Sequence, residues 1–480
     1  RENLIEAVAE SDDALLEKYL ERGEISDEEL KSALKKAIVK GLVVPVLSGS
    51  ADKEIGTEEL LDFIVEYFPS PLDLKPLKIS EKEILPDDKA ALSAFIFKTI
   101  TDPYVGQLTY FRVYSGALKA DSEVLNAASG AKERIGHIYI IKGKEQISVS
   151  EAGPGDIMAV AKLKNTHVNN TLSDFSSKIS LPPMVFPKPL VSYAVYAKAK
   201  GDEEKIGSGL HKIAEEDPTV KIERNPDTKE LIISGMGDLH IEIAMARVKH
   251  KFNVEANLSV PKVAYKETIK KSAEGHEKYK KQSGGKGQYG EVYLKIEPLE
   301  RAKGFEFVDE IVGGSIPRNY LPAVEKGIRE ATVEGILAGY PIVDFCARCY
   351  DGSYHEVDSS EMAFKIAGSK AFKDAFLKAR PILLEPIMNI EVVIPSDYMG
   401  DITGDLNAKR GRIIGMEPAG MLQKVKAQVP QSEIFRYSTE LRSMTGGRGS
   451  FTIDFSHYEE VPAHISQKVI DEGKKQDEEK

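Results

Sequence analysis

The residues with the clearest chemical potential lie in the sequence YDGSYHEVDSSEMAFKIA, residues 350–367. We expect a turn at Asp351-Gly352, followed by a helix that the polar residues from Asp358 to Glu361 cap. The turn presents three polar or aromatic side chains: Ser353, Tyr354 and His355. A capped helix after an ordinary loop explains the second half of this sequence but not the crowding of these side chains ahead of the cap. Such a loop can stack on and hydrogen-bond to single-stranded RNA.

A glycine-rich stretch, SGGKGQYG at residues 283–290, is a second candidate. It lies between a charged run and a predicted strand, without the strand–loop–helix context of a loop that cradles nucleotide phosphates. We therefore favour a flexible basic loop whose Lys286 approaches RNA backbone. Neither a G-x-x-x-x-G-K-[ST] loop nor the guanine-specifying N-K-x-D occurs in the chain.

Other reactive residue types lack the spacing that catalysis or metal binding requires. Cys346 and Cys349 form a single C-x-x-C pair, whereas a zinc ribbon needs two pairs. They are three positions apart in a predicted strand, so we expect one in the core and the other on the surface. There is no H-E-x-x-H for a zinc hydrolase and no G-x-S-x-G elbow for a serine hydrolase. We predict no metal site and no catalytic residue.

Composition fits a globular protein of about three to five domains. The chain has 480 residues, 41% of them hydrophobic, and no apolar run approaches the ~18 residues of a membrane span. The formal charge of −11 is concentrated in residues 1–62, which hold 8 basic and 16 acidic side chains, whereas residues 262–286 hold 8 basic and 3 acidic ones. RNA therefore remains a candidate partner. With no signal peptide and few cysteines, a cytoplasmic location is expected, and the missing initial methionine suggests a fragment or a processed chain.

The N-terminal part has an α/β pattern. Helical spacing of apolar residues predicts two helices between residues 2 and 39, the second opened by a capping box at Ser26. The sequence GLVVPVLSGSA, residues 41–51, is typical of a buried strand, and a third helix is expected at Thr57–Tyr67. The sheet to which this strand would belong must lie elsewhere.

The rest of the chain contains several segments for which different kinds of structure are predicted. Prolines predict linkers at residues 69–89 and 182–189, and they flank short strands separated by tight turns that indicate a small β-barrel between residues 91 and 173. Residues 190–262 and 389–458 each follow the order of a ferredoxin-like split-βαβ unit. The predicted fold class is multidomain α+β: a β-barrel, then two ferredoxin-like modules flanking an α+β arm, with the remnant of an α/β domain at the N-terminus.

Several long strings resemble bacterial translation elongation factor G, the ribosomal translocase. They occur in the family's order and include AFIFKTITDPYVGQLTYFRVYSG, EEDPTVKIERNPDTKELIISGMGDLHIEI, FVDEIVGGSIPRNYLPAVEKGI, DGSYHEVDSSEMAFKIAGSKAFK and GDITGDLNAKRGRIIGM. The segments MTGGRGSF and KKQSGGKGQYGEVYLKIEPLE resemble the family's second, elongation-factor-G-like paralogues more closely than the housekeeping form. The resemblance extends from the first residue to about Ile465.

The resemblance implies a domain for each part of the chain. Most of the GTPase domain would be missing, and its C-terminal part with its insert would occupy residues 1–75. The β-barrel would follow at 76–180, the third domain at 188–262, the fourth at 263–388 with 461–472, and the fifth at 389–460. The P-loop and both switch regions are absent from the sequence.

The resemblance also implies the functional residues. Gly49, Ser50 and Ala51 would match the last guanine-contacting loop, although this loop alone would not hold a nucleotide. GTP and Mg²⁺ are therefore expected only in an intact, ribosome-stimulated GTPase. The fourth domain would be an arm whose tip enters the decoding centre. The residues at that tip, which would contact RNA, are Gly313, Gly314 and Ser315, the loop Gly352–His355, and Asp358. Contacts with ribosomal RNA phosphates are expected from three further side chains: Lys409, Arg410 and Arg412.

The implied function is to promote the movement of transfer RNA and messenger RNA on the ribosome by a mechanical action of a monomeric factor that contacts both subunits. One alternative is a ribosome- or RNA-binding competitor without GTPase action. Another is a ribosomal protection factor of the tetracycline-resistance type, whose arm loops we expect to differ from DGSYHEVDSSE. A small-molecule enzyme is disfavoured, because no paired catalytic constellation occurs.

Overall fold

The computed structural model describes residues 2–79, 82–102, 106–282 and 287–478. The chain divides into two compact units, one formed by residues 1–186 with 215–218 and the other by residues 187–214 with 219–480. Within the described ranges, no helix is long and apolar enough to cross a membrane.

The first unit begins with three helices rather than the predicted two: α1 (Glu2–Ala9), α2 (Asp13–Arg22) and α3 (Asp27–Val39). The difference arises because Asp12 starts a separate helix by accepting the N–H groups of Ala14 and Leu15. The predicted capping box is confirmed. Ser26 Oγ accepts the N–H of Glu29, and the Glu29 carboxylate accepts the N–H of Ser26.

The buried strand predicted for residues 41–51 is wrong. Val44 and Val46 are 81% and 93% exposed, and the only β-bridge in this stretch of the described chain joins Ser50 to Ile55. A strand requires a neighbour that satisfies its N–H and C=O groups, and none of the described strands lies beside these residues. The following helix, α4 (Thr57–Tyr67), has the predicted bounds.

A curled antiparallel sheet follows. A hairpin of β1 (Leu77–Ile79) and β2 (Lys82–Ile84) lies in the stretch predicted as a linker. The sheet order is β7-β6-β12-β3-β4-β11-β8-β9, and β5 pairs with β10. Val124 of β6 and Ile138 of β8 share one buried cluster with Phe111, so the sheet curls around a single core. Its strands are β3 (Ser93–Asp102), β4 (Gly106–Ser115), β5 (Leu118–Lys119), β6 (Glu123–Asn126), β7 (Lys132–Arg134), β8 (Ile138–Lys142), β9 (Glu145–Val149), β10 (Glu151–Ala152), β11 (Ile157–Ala161) and β12 (Thr171–Ser173).

The second unit starts with the predicted ferredoxin-like module. Its strands lie in the antiparallel order β14-β15-β13-β16. Ile206 and Ile241, one from each helix, pack with Ile233 of the sheet in one core. The elements are β13 (Val191–Ala197), α5 (Glu203–Glu216), β14 (Lys221–Arg224), β15 (Leu231–Gly235), α6 (Asp238–Phe252) and β16 (Ala256–Ser259).

The next part, which we call the arm, is a four-stranded sheet packed against two helices. The strand order is β18-β19-β21-β20, with β20 and β21 parallel. Alternate residues of β19, such as Val292 and Leu294, join Phe345 and Phe364 in the core, so the residues between them occupy the opposite face. After β17 (Lys266–Ile269), the elements are β18 (Ala273–Lys281), β19 (Gln288–Pro298), β20 (Phe305–Asp309), α7 (Leu321–Glu334), β21 (Phe345–Ser353) and α8 (Glu361–Lys378).

A second ferredoxin-like module, in the order β23-β24-β22-β25, and a terminal helix complete the chain. The sequence predicts a domain boundary at residue 388, but β22 continues through it without a break. The first residues of β22 pair with β17, and the later ones pair with β24 and β25, so one strand serves both parts. The domain ranges themselves stay predictions. The elements are β22 (Pro381–Pro395), α9 (Met399–Ala408), β23 (Arg412–Ala419), β24 (Leu422–Pro430), α10 (Tyr437–Thr445), β25 (Ser450–Glu460) and α11 (Ala463–Glu478).

Candidate nucleic-acid interface

Two described connections of the arm lie at one end of its sheet, together with Gly287. The first residues of β19 lie opposite the last residues of β18 and β21, because β19 is antiparallel to both. β20 runs parallel to β21, so it also ends there. We call this end, formed by residues 310–320 and 354–360 with Gly287, the arm tip. Lys286, a predicted phosphate contact, lies outside the described residues.

The connection after β20 is open to solvent at residues 312–314. Gly313 and Gly314 have φ angles of 73° and 75°, and a Cβ atom on either would have no neighbour within 4 Å in the described structure. A side chain is disfavoured there by the backbone conformation and not by space. Ser315 is half-buried, and Ile316 is buried as the anchor of the loop.

The predicted turn at Asp351-Gly352 is wrong, because both residues belong to β21 and pair with β19. Gly352 faces the loop anchor: a Cβ atom there would lie 2.5 Å from Ile316 Cδ1. Ser353 is the last residue of β21, and its hydroxyl donates a 2.5 Å hydrogen bond to Glu291 Oε2. Gly352 and Ser353 therefore support the tip rather than display groups to a partner.

Tyr354 and His355 are the exposed members of the predicted loop, with 46% of Tyr354 and 57% of the His355 side chain accessible. The imidazole is oriented by the backbone: Nδ1 accepts the N–H groups of Val357 at 3.3 Å and Asp358 at 3.2 Å. In the neutral ring the proton is then on Nε2, which makes Nε2 a hydrogen-bond donor.

Asp358 ties the tip together. Its Oδ1 accepts the N–H of Gly287 at 3.0 Å, and its backbone carbonyl accepts the N–H of Tyr289 at 2.9 Å. Because both bonds join the β21–α8 connection to the start of β19, the predicted RNA contact at Asp358 is better described as an internal support.

The sequence prediction missed a polar cluster below the tip. The Glu291 carboxylate accepts hydrogen bonds from Ser353, Tyr289 and His276, and Lys278 Nζ lies 3.3 Å from Oε2. Burial opposes ionisation of Glu291, but these donors outweigh it and lower the pKa to about 2. The available signal was the spacing by two of polar residues in β18 and β19, which places them on the face opposite the helices.

The predicted phosphate contacts of the last module differ in accessibility. Arg410 donates two hydrogen bonds to the buried Glu385, at 2.6 and 3.0 Å, and a third to Glu433 at 2.9 Å. The Lys409 side chain is only 16% exposed and lies 2.7 Å from Glu440. The structure therefore argues against phosphate contacts by Lys409 and Arg410, whose charges are used internally. Arg412 is exposed and forms no ion pair with any described residue.

The predicted guanine-contacting loop does not form a nucleotide pocket. Ser50 uses both of its backbone groups to pair with Ile55, at 3.0 and 3.1 Å. A Cβ atom at Gly49 would lie 2.9 Å from the Ile55 carbonyl oxygen, so the turn is closed on itself. These residues alone do not fit a guanine nucleotide. Among residues 2–79, 82–102, 106–282 and 287–478, no group of three or more His, Cys, Asp or Glu side chains could hold a metal ion.

The arm and its neighbouring modules match known domains. Sequence models of elongation factor G match with domain 2 at residues 91–175, domain III at 186–260, domain IV at 261–380 and the C-terminus at 382–469. A crystal structure of a protein from Thermus thermophilus is 41% identical in sequence and has a TM-score of 0.79, with 99% of this chain and 70% of that chain covered. These domains indicate a role like that of a translation elongation factor, and the family implies interaction with the ribosome. The chain belongs to the elongation factor G family.

Proposed function

We propose that this chain supplies the ribosome-binding and arm domains of a GTP-dependent factor that promotes translocation of transfer RNA and messenger RNA. The observation that supports this best is the arm tip, where the backbone orients the exposed His355 imidazole and the connection with Gly313-Gly314 is open to solvent. The action is mechanical: the tip occupies the path of the transfer RNA and prevents it from slipping back.

The tip has the groups that unpaired RNA recognition requires. His355 Nε2–H can donate to a phosphate oxygen or to a base, and the exposed Tyr354 ring offers a face on which a base can stack. The glycine backbone lets RNA approach closely, because no side chain stands between it and solvent. Arg412, on the last module, is the exposed cation for a ribosomal RNA phosphate.

GTP and Mg²⁺ belong to the nucleotide-binding part of the intact factor. The chain contains no P-loop sequence, and the turn at residues 49–51 is closed by its bonds to Ile55. The proposed partners are both ribosomal subunits, transfer RNA and messenger RNA. We propose that the factor acts as a cytoplasmic monomer.

The test is the substitution His355→Ala in the intact factor. Loss of one stacking or hydrogen-bonding group is worth about 1–3 kcal/mol, so we expect transfer RNA movement to slow by about tenfold. Ribosome-stimulated GTP turnover should stay close to that of the unmodified factor. The measurements are the single-round rate of movement of a fluorescent messenger RNA and the rate of phosphate release.

The matched control is His457→Ala, which removes an exposed histidine from β25, outside the arm. It should change neither rate. The proposal fails if His355→Ala abolishes GTP turnover while the movement per GTP hydrolysed is unchanged, because the residue would then act in GTPase activation.

A second candidate is a ribosome-binding competitor that works without GTP hydrolysis. The turn at residues 49–51, in which both backbone groups of Ser50 bond Ile55, is the observation that favours it. Binding of the purified chain to ribosomes that does not respond to GTP, and that displaces the intact factor, would support this alternative.

A further inference from the structure

The Glu291 carboxylate connects three strands below the arm tip. It is 9% exposed and accepts hydrogen bonds from Ser353 Oγ of β21 at 2.5 Å, from the hydroxyl of Tyr289 on its own strand at 3.0 Å, and from His276 Nε2 of β18 at 3.0 Å. Lys278 of β18 provides the countercharge. A buried carboxylate with this many donors fixes the relative positions of the strands that bear them.

A β-bulge places Ser353 on the same face as Glu291. The pairing of β19 with β21 shifts between Tyr293 and Leu294, which leaves Tyr350 as the extra residue. Cys349 is buried in the arm core, so simple alternation would turn Gly352 away from the helices. The bulge reverses the alternation, and Gly352 then packs on Ile316 while Ser353 reaches Glu291.

Tyr289 connects the Glu291 carboxylate to the loop that carries His355 through hydrogen bonds. Its hydroxyl is bonded to Glu291, and its backbone N–H donates to the carbonyl of Asp358. The Tyr289 carbonyl accepts from Ser359 Oγ at 3.0 Å, and the same Oγ accepts the N–H of His355 at 2.8 Å. A continuous set of hydrogen bonds therefore joins the Glu291 carboxylate to the loop that orients the imidazole.

We propose that Glu291, acting through Tyr289 and Ser353, is a positioning residue that holds His355 at the arm tip in the tautomer with Nε2 protonated. Glu291 itself does not contact RNA. The inference deepens the proposed function and rests on it for the role of His355 on the ribosome, but the orientation of the ring can be measured without the ribosome.

The first test is NMR of the full chain labelled with ¹⁵N in its histidine rings, with the His355 signals identified by their loss in His355→Gln. In the unmodified chain, Nδ1 should give the signal of an unprotonated acceptor and Nε2 that of a protonated nitrogen. In Glu291→Gln and in Tyr289→Phe, we expect these signals to move toward the average of the two tautomers. Tyr289→Phe removes one hydroxyl group and keeps the ring, so it tests the link with little risk to folding.

The matched control is Glu297→Gln. Glu297 lies on the same face of β19, about 20 Å farther from the tip, and bonds Arg348 at 2.9 Å. It should leave the His355 signals unchanged. If Glu291→Gln and Tyr289→Phe also leave them unchanged, or if Glu297→Gln moves them equally, the positioning role is wrong.

The second test measures translocation by the intact factor. Glu291→Gln should slow movement by about threefold to tenfold. It should have no further effect once His355 is Ala, because Glu291 acts only through the contact that His355 makes with RNA. Additive slowing would overturn the proposal. Altered His355 signals without slower movement would support the positioning role and contradict the proposed function of His355, so the two ideas fail separately.

Discussion

Ile316 packs so closely on Gly352 that a Cβ atom at position 352 would lie 2.5 Å from Ile316 Cδ1 and still closer to the carbonyl oxygen of Glu291. Ile316 is 1% exposed and anchors the loop that presents Gly313 and Gly314. Two segments that are distant in sequence therefore meet at a single glycine, and the shape of the tip depends on the absence of a side chain there.

Gly352→Ala should lower the free energy of unfolding by about 2–3 kcal/mol. The Ile316 side chain can rotate away from a new methyl group, but the backbone of β19 cannot move without breaking its pairing with β21. The urea midpoint measures the effect. Gly415→Ala is the control, since Gly415 lies in β23 with no described atom within 4 Å of its Cβ position. Equal effects of the two substitutions would contradict the packing argument.

Arg410 and Arg412 should separate stability from ribosome binding. Arg410→Ala leaves the 3% exposed Glu385 carboxylate without its bidentate partner and should cost about 3 kcal/mol of stability. Arg412→Ala should change stability by less than about 0.5 kcal/mol, because its side chain is exposed. Instead it should weaken ribosome binding and flatten the salt dependence of binding. Unchanged binding by Arg412→Ala at all salt concentrations would remove this residue from the proposed interface.

The two cysteines should be unreactive in the folded chain. One was predicted at the surface, but Cys346 and Cys349 are 2% and 0% exposed. Burial raises the pKa of both thiols, that of Cys349 to about 12, so little nucleophilic thiolate exists at pH 8. An aromatic disulfide reagent should titrate neither thiol in the native chain and both in denaturant. Rapid labelling of Cys346 in the native chain would contradict this prediction, because it would show that the residues that bury Cys346 open frequently.

The fold was predictable where the local sequence pattern agrees with the surroundings of the residues in the folded chain. Helix α4 has the bounds that its cap and apolar spacing predict, and both ferredoxin-like modules have the predicted order. Residues 41–51 have the apolar pattern of a buried strand. A segment with this pattern still needs a neighbouring strand to satisfy its backbone N–H and C=O groups.

The site was predictable only in part, because pairing partners distant in sequence decide which side chains are displayed. Asp351-Gly352 has turn-forming residue types, yet β19 holds both residues in a strand. Arg410 belongs to a basic run, yet Glu385 and Glu433 neutralise it from other elements. Tyr354 and His355 were predicted as exposed, and they are, because the chain leaves the sheet just before them.

The Glu291 cluster should make stability depend on pH in acid. The folded pKa of Glu291 is about 2, against an ordinary value of 4.5, so its contribution is complete above pH ~4.5 and is lost as pH falls through 2. The size of the shift sets an upper limit of about 3 kcal/mol. The free energy of unfolding, measured in urea, should therefore be well below that of the unmodified chain for Glu291→Gln at pH 7. The difference should become progressively smaller toward pH 3. The control is Glu306→Gln, which removes an exposed carboxylate from β20 and should change the free energy of unfolding by less than about 0.5 kcal/mol. If Glu291→Gln behaves in the same way, the carboxylate is not held ionised by its donors, and the cluster does not brace the tip through its charge.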